Sequence, residues 1–178
     1  MVDKAKHGLV MVYTGDGKGK TTAALGLVLR AVGHGFRAKI IQFMKGDESY
    51  GEVQAVRSYL PGVELEQHGL PTFVDPNSPA REDLELAARG MEAARAAVES
   101  GEYDLVVLDE INVAVSFGLV PEGAVLDLLE KRPTWVDLVL TGRGATRRVM
   151  EAADMVSEVK EIKHHYQAGV EARAGIEY

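Results

Sequence analysis

Thr14-Gly15-Asp16-Gly17-Lys18-Gly19-Lys20-Thr21-Thr22 stands between an apolar run, Leu9-Val10-Met11-Val12-Tyr13, and an alanine- and leucine-rich segment from Ala23 to Val32. Strand, glycine-rich turn and helix in that order are the context a phosphate-binding loop requires. Glycines at Gly15, Gly17 and Gly19 let successive backbone N–H groups turn inward as a nest for phosphate oxygens. The helix that begins there adds the positive end of its dipole to the same point. A nucleoside triphosphate is therefore expected on Gly15, Asp16, Gly17, Lys18, Gly19, Lys20, Thr21 and Thr22. The Lys20 ammonium would reach the terminal phosphates, and the Thr21 hydroxyl would ligate a magnesium ion. Thr14 departs from the usual G-x-x-x-x-G-K-[ST] spacing, standing where the first glycine belongs.

Outward from this loop, apolar runs of four to seven residues alternate with helical patterns, the rhythm of repeated βαβ units and a mostly parallel sheet. Strands are expected at 8–14, 37–43, 63–67, 103–110, 135–141 and 155–162. Helices are expected at about 20–31, 52–60, 111–117, 121–131 and 145–152. Another begins after Ser78 as cap and Pro79 as first residue. Leu84, Ala87, Met91, Ala94 and Val98 give that helix a core-facing stripe. The segment Gly69 to Asn77 carries two prolines and is irregular. The chain reads as one domain over 1–178.

Composition narrows the function. A chain of 178 residues, 46% of them hydrophobic, supports a sizeable core. A net charge of −7 argues against a nucleic-acid footprint. There is no cysteine, hence no disulfide or thiolate chemistry, which fits a reducing compartment. Residues 1–7 lack the apolar core of a signal peptide, and no run approaches a membrane span. The expected location is the cytoplasm.

Two further constellations share the carboxyl rim of the expected sheet. Asp109-Glu110 closes a buried strand, and a carboxylate there suits magnesium; the residues alone leave open which acid touches the metal. Arg143, between Gly142 and Gly144 at another strand end, can fold its planar fork over phosphates. His164 and His165, adjacent in an extended segment, are expected to point to opposite sides rather than grip one ion. No N-K-x-D pattern for guanine is present.

With these residues in place, the sequence resembles the P-loop ATP:corrinoid adenosyltransferases. The stretches that carry the likeness are T-G-D-G-K-G-K-T-T-A-A at 14–24, R-A-V-G-H-G at 30–35, Q-F-M-K-G at 42–46, V-V-L-D-E at 106–110, T-G-R-G at 141–144, A-D-M-V-S-E at 153–158 and K-H-H-Y-Q-A-G-V-E-A-R-A-G-I-E-Y at 163–178. The resemblance implies a P-loop, recombinase-like sheet flanked by helices. It implies attack of a Co(I) corrinoid on the ribose C5′ of ATP, with triphosphate leaving whole. Lys20 and Arg143 would be the catalytic cations, Arg143 lying on the triphosphate. Thr21 and Glu110 would hold magnesium, and Asp109 would stand behind them. Leu70 and Phe73 would face the corrinoid. The family's loop there carries two aromatics in a G-F-T-W pattern, whereas Gly69-Leu70-Pro71-Thr72-Phe73 is one residue longer with one aromatic. Longer members have an N-terminal extension over the corrinoid; here seven residues precede the first expected strand. A reductant such as a flavoprotein and a homodimer are also implied. Two other classes fit the phosphate loop itself: a small-molecule kinase or ATPase, and an ATP-dependent binding module.

Overall fold

The computed structural model describes residues 7–178. Six strands form one sheet: β1 (Val10–Thr14), β2 (Ala38–Phe43), β3 (Val63–His68), β4 (Leu105–Asp109), β5 (Asp137–Thr141) and β6 (Met155–Glu158). Their order is β3-β2-β4-β5-β1-β6, and each pairing is parallel. Six helices connect them: α1 (Lys20–Gly33), α2 (Gly51–Tyr59), α3 (Arg81–Ser100), α4 (Ile111–Ser116), α5 (Glu122–Lys131) and α6 (Arg147–Glu151).

The continuous apolar runs of the inner strands are explained by burial on both faces. Successive side chains alternate between the faces. Val12, Ile41, Phe43, Val106, Leu108, Leu138 and Leu140 pack with Met91, Ala94 and Val98 of α3 and with residues of α4 and α5. Their neighbours Met11, Ala38, Ile40, Leu105, Val107 and Val139 pack with Ala24 and Val28 of α1 and Val56 of α2. The result is three layers, with every strand's carboxyl end on one rim.

The expected elements are all present, with local corrections. The strand read at 155–162 ends at Glu158, because β6 is an edge strand paired only with β1. Ser78 and Pro79 lie outside α3, whose cap is Ala80. The Asp83 carboxylate accepts from the Ala80 N–H at 3.0 Å and fulfils the role expected of Ser78. Leu84 is exposed, while the other four residues of the stripe are buried. At 20 residues α3 is about 30 Å long, against about 20 Å for a six-residue strand.

Candidate nucleotide and metal site

The loop between β1 and α1 is shaped by its glycines and pinned from outside. Gly15 has φ +93°, a left-handed conformation that favours glycine. A Cβ on Gly15 or Gly17 would also strike the backbone of Val159 or Lys160, at 2.5 and 2.8 Å. That close approach lets the Gly17 N–H donate to the Val159 carbonyl at 2.8 Å, tying the loop to the end of β6. Thr14, the departure from the usual spacing, is buried and uses its hydroxyl to accept from the Ala145 N–H at 3.2 Å. It thereby fastens the loop to the turn that carries Arg143.

Lys20 is 8% exposed, and its ammonium donates to the carbonyls of Gly15 and Gly17, each at 2.7 Å. Burial above all pulls its pKa below the ordinary lysine value; Glu110, Asp16 and Asp109 oppose this and Arg143 adds to it. Arg143 lies over the loop: its guanidinium donates to the Asp16 carbonyl at 3.3 Å and stands 4.0 Å from the Asp16 carboxylate. Lys18 points elsewhere. Its ammonium donates to the Ile176 carbonyl at 2.7 Å and lies 3.8 Å from Glu177, on the tail rather than over the loop.

Asp109 is the hub. It is 1% exposed and accepts four hydrogen bonds. Oδ1 takes the hydroxyls of Thr21 at 2.8 Å and Thr141 at 2.7 Å. Oδ2 takes the Gln42 amide at 3.1 Å and the Lys45 ammonium at 2.8 Å. Burial pushes its carboxyl upward, but the Lys45 charge and the donors from Lys45, Thr141 and Thr21 outweigh burial and hold it below the carboxylate range. Glu110 contrasts with it. Its backbone is left-handed at φ +62°, its N–H donates to the Thr141 hydroxyl at 2.9 Å, and no side-chain partner holds its carboxylate among the described residues. A non-glycine residue there stores about 1 kcal/mol or more of strain, a cost that persists where a site over-determines it. Burial first, and then the Asp109 charge, raises its pKa.

The donors available to a cation are hard oxygens: the Thr21 lone pairs and the Glu110 carboxylate. Among the described residues no group of three or more His, Cys, Asp or Glu is arranged to hold a metal. So sparse an oxygen set fits magnesium, which keeps waters and takes its remaining ligands from phosphates.

Gln42, Lys45 and Thr141 were not singled out by sequence reasoning. For Gln42 a signal was available: it is a polar residue near the end of an otherwise largely apolar strand, directly across from Asp109 in the register.

The sequence profile of the family described as ATP:corrinoid adenosyltransferase BtuR/CobO/CobP matches residues 6–178. The chain belongs to this ATP:corrinoid adenosyltransferase family. It is 37% identical over 174 residues to the corrinoid adenosyltransferase of Escherichia coli (strain K12), covering 97% of this chain and 87% of that one. It is 35% identical over 173 residues to the corrinoid adenosyltransferase of Pseudomonas aeruginosa PAO1, covering 97% and 85%. Among solved structures, the KaiC-like protein PH0186 from Pyrococcus horikoshii OT3 aligns with a TM-score of 0.57 at 17% identity, over 89% of this chain and 75% of that one. That likeness shows the fold.

The parts of the chain that the adenosyltransferase family points to lie around the same rim. Loop 69–77 follows β3, and its base is locked to the loop after β2. A Cβ on Gly69 would meet the Met44–Lys45 backbone at 2.3 Å, and one on Gly46 would meet the Gly69 carbonyl at 2.2 Å. Leu70 is half-buried and Val74 packs on the core, while Phe73 is fully exposed. Phe73 therefore packs against none of the helices. The tail crosses beside the phosphate loop, with Glu177 3.3 Å from His165 and the Tyr178 ring tilted against Tyr50 at 6.5 Å. His164 and His165 do not point apart as expected: their rings stack at 4.5 Å, because His165 already begins a 3-10 turn, His165–Ala168. An N-terminal cover would fall on residues outside those described. No helix of the described residues is long and apolar enough to cross a membrane.

Proposed function

We propose that this chain transfers the 5′-deoxyadenosyl group of ATP to the Co(I) centre of a corrinoid, releasing triphosphate, in adenosylcobalamin biosynthesis or salvage. The observation that carries this reading is the family match across phosphate loop, acidic strand end, arginine turn and tail together. Chemically, a cobalt lone pair forms the Co–C bond as the C5′–O bond breaks. The bonding pair leaves on the triphosphate, and cobalt passes formally from +1 to +3. The nucleophile needs no base, so the task left to the protein is to stabilise charge growing on the leaving group.

Lys20 and Arg143 are the catalytic cations in this reading; their convergence on the loop supports it. Magnesium, held by Thr21 and Glu110 and by the triphosphate, would add positive charge there. Asp109 orients the Thr21 hydroxyl from behind and stays off the metal, as its four filled acceptor positions favour. Leu70 and Phe73 meet the corrinoid, where an apolar side chain offers cobalt no lone pair. A flavoprotein-type reductant, a homodimer, a cytoplasmic location and a single working domain over 1–178 complete the proposal.

The test is spectroscopic. Protein, ATP and magnesium mixed with chemically reduced corrinoid in dim light should yield an alkylcobalt spectrum that photolysis abolishes. ATP consumption with no Co–C product would favour a kinase or ATPase. ATP binding with neither product would favour a binding module.

A further inference from the structure

Lys45 has no part in the reaction described above, yet its ammonium meets the carboxylate at the hub of the site. Its ammonium is 2.8 Å from Asp109 Oδ2 and 3.6 Å from Glu52, and its side chain is largely buried. Gln42 joins the same two acids, donating to Asp109 at 3.1 Å and Glu52 at 3.2 Å, and is held from the other side by the Gln67 amide at 3.0 Å. The backbone around Lys45 is fixed as well: Met44 has φ +59°, its N–H donates to the His68 carbonyl, and Gly46 abuts Gly69. This is an ammonium placed by three strand ends, not a solvated lysine that drifted onto an acid.

From this geometry we propose that Lys45 is a positioning residue, the built-in counter-cation of Asp109. Its ammonium occupies Oδ2, holds the carboxylate turned toward Thr21, and keeps a divalent cation from binding Asp109 directly. With Asp109 and Glu52 neutralised from within, the described residues at this rim offer a cation only Thr21 and Glu110. The metal is then taken up together with a triphosphate rather than ahead of it. A sequence with two adjacent acids at a buried strand end would otherwise collect free divalent ions, since carboxylates are the natural ligands of hard cations. The inference rests on the nucleotide site and is independent of which acceptor receives the adenosyl group.

The probe is Mn2+ followed by EPR on the full chain, without nucleotide and then with ATP. The parent should bind Mn2+ weakly on its own and much more tightly once ATP is added. Lys45→Gln, which keeps a donor but removes the charge, should bind Mn2+ without nucleotide at least tenfold more tightly than the parent. Lys45→Arg should behave like the parent, and Lys45→Gln combined with Asp109→Asn should lose the new site. A lysine that merely braces the fold would lower the melting temperature on substitution and leave Mn2+ affinity where it was. Affinity within twofold of the parent in Lys45→Gln overturns the proposal. So does a tight Mn2+ site in the parent without ATP, a result that needs no variant to fold. Equilibrium dialysis with ATP separates the two claims: no nucleotide binding by the parent sinks the nucleotide site itself, whereas intact ATP binding with unchanged Mn2+ affinity sinks only the role of Lys45.

Discussion

Asp109 accepts its four hydrogen bonds from α1, β5, β2 and the loop after β2, so a single carboxylate holds the relative positions of most of the site. Around it, Lys20 donates to the carbonyls of Gly15 and Gly17 and Arg143 to that of Asp16, and the proposed function turns both cations to the triphosphate. Lys20→Ala should lower turnover by about 10²–10³, the usual consequence of removing one preorganised charge, while thermal unfolding stays near the parent's. Turnover within threefold of the parent in a normally melting variant would remove Lys20 from the mechanism. Arg143→Lys keeps the charge and loses the fork, so steady-state rates should fall more than ATP affinity does. Weaker ATP binding at an unchanged rate would make Arg143 a ground-state contact only. The sequence made Lys20, Thr21 and the acid pair legible because their spacing is local. Lys45 was not legible, since its partner lies 64 positions away on a strand whose neighbour no local pattern names. The residues alone left open which of Asp109 and Glu110 would meet a metal, and only the resemblance divided them; their contrast in the structure goes with a left-handed backbone at Glu110 that no local pattern announces.

At the scale of elements, the β2–β3 pair shows how an edge strand carries charge. Lys39, nearly buried on β2, is bonded to Glu66 and, at 3.2 Å, to Glu64 of β3. The Lys39 hydrogen bond, more than any other influence, holds the Glu66 carboxyl below its ordinary value. A depressed carboxylate contributes stability above its unfolded pKa, about 4.3, and loses it as pH falls through the folded value. Glu66→Gln should therefore be less stable than the parent by about 0.5–1 kcal/mol at pH 7, a modest figure because half of Glu66 is exposed. The gap should close near pH 3. Urea midpoints at pH 7, 5 and 3 decide it, and a gap independent of pH would mean that packing, not charge, is lost. The loop after β3 was legible as irregular from its prolines, but the exposure of Phe73 was not, since neighbouring residues alone do not say what a side chain covers. Phe73→Ala should impair adenosylation from cob(II)alamin with a protein reductant and largely spare it when cob(I)alamin is supplied chemically. Equal loss in both assays would rule out a role in excluding the axial ligand.

For the whole molecule, alternating strand and helix patterns made the parallel layered architecture readable, because burial on both faces leaves unbroken apolar runs. Strand order was not readable. The order β3-β2-β4-β5-β1-β6 makes β2, β4, β5 and β1 consecutive, so the chain leaving their carboxyl ends brings Lys45, Asp109, Arg143 and Lys20 to one stretch of the rim. The tail, without periodicity, returns across that rim through Ile176 and Tyr178. In the proposed reaction this rim directs attack to carbon and releases the triphosphate unbroken. Phosphorus NMR of a single turnover with ATP, magnesium and chemically reduced corrinoid tests it most directly. Resonances of free tripolyphosphate should appear, equal in amount to the alkylcobalt formed; ADP and inorganic phosphate in their place would mean attack at phosphorus instead.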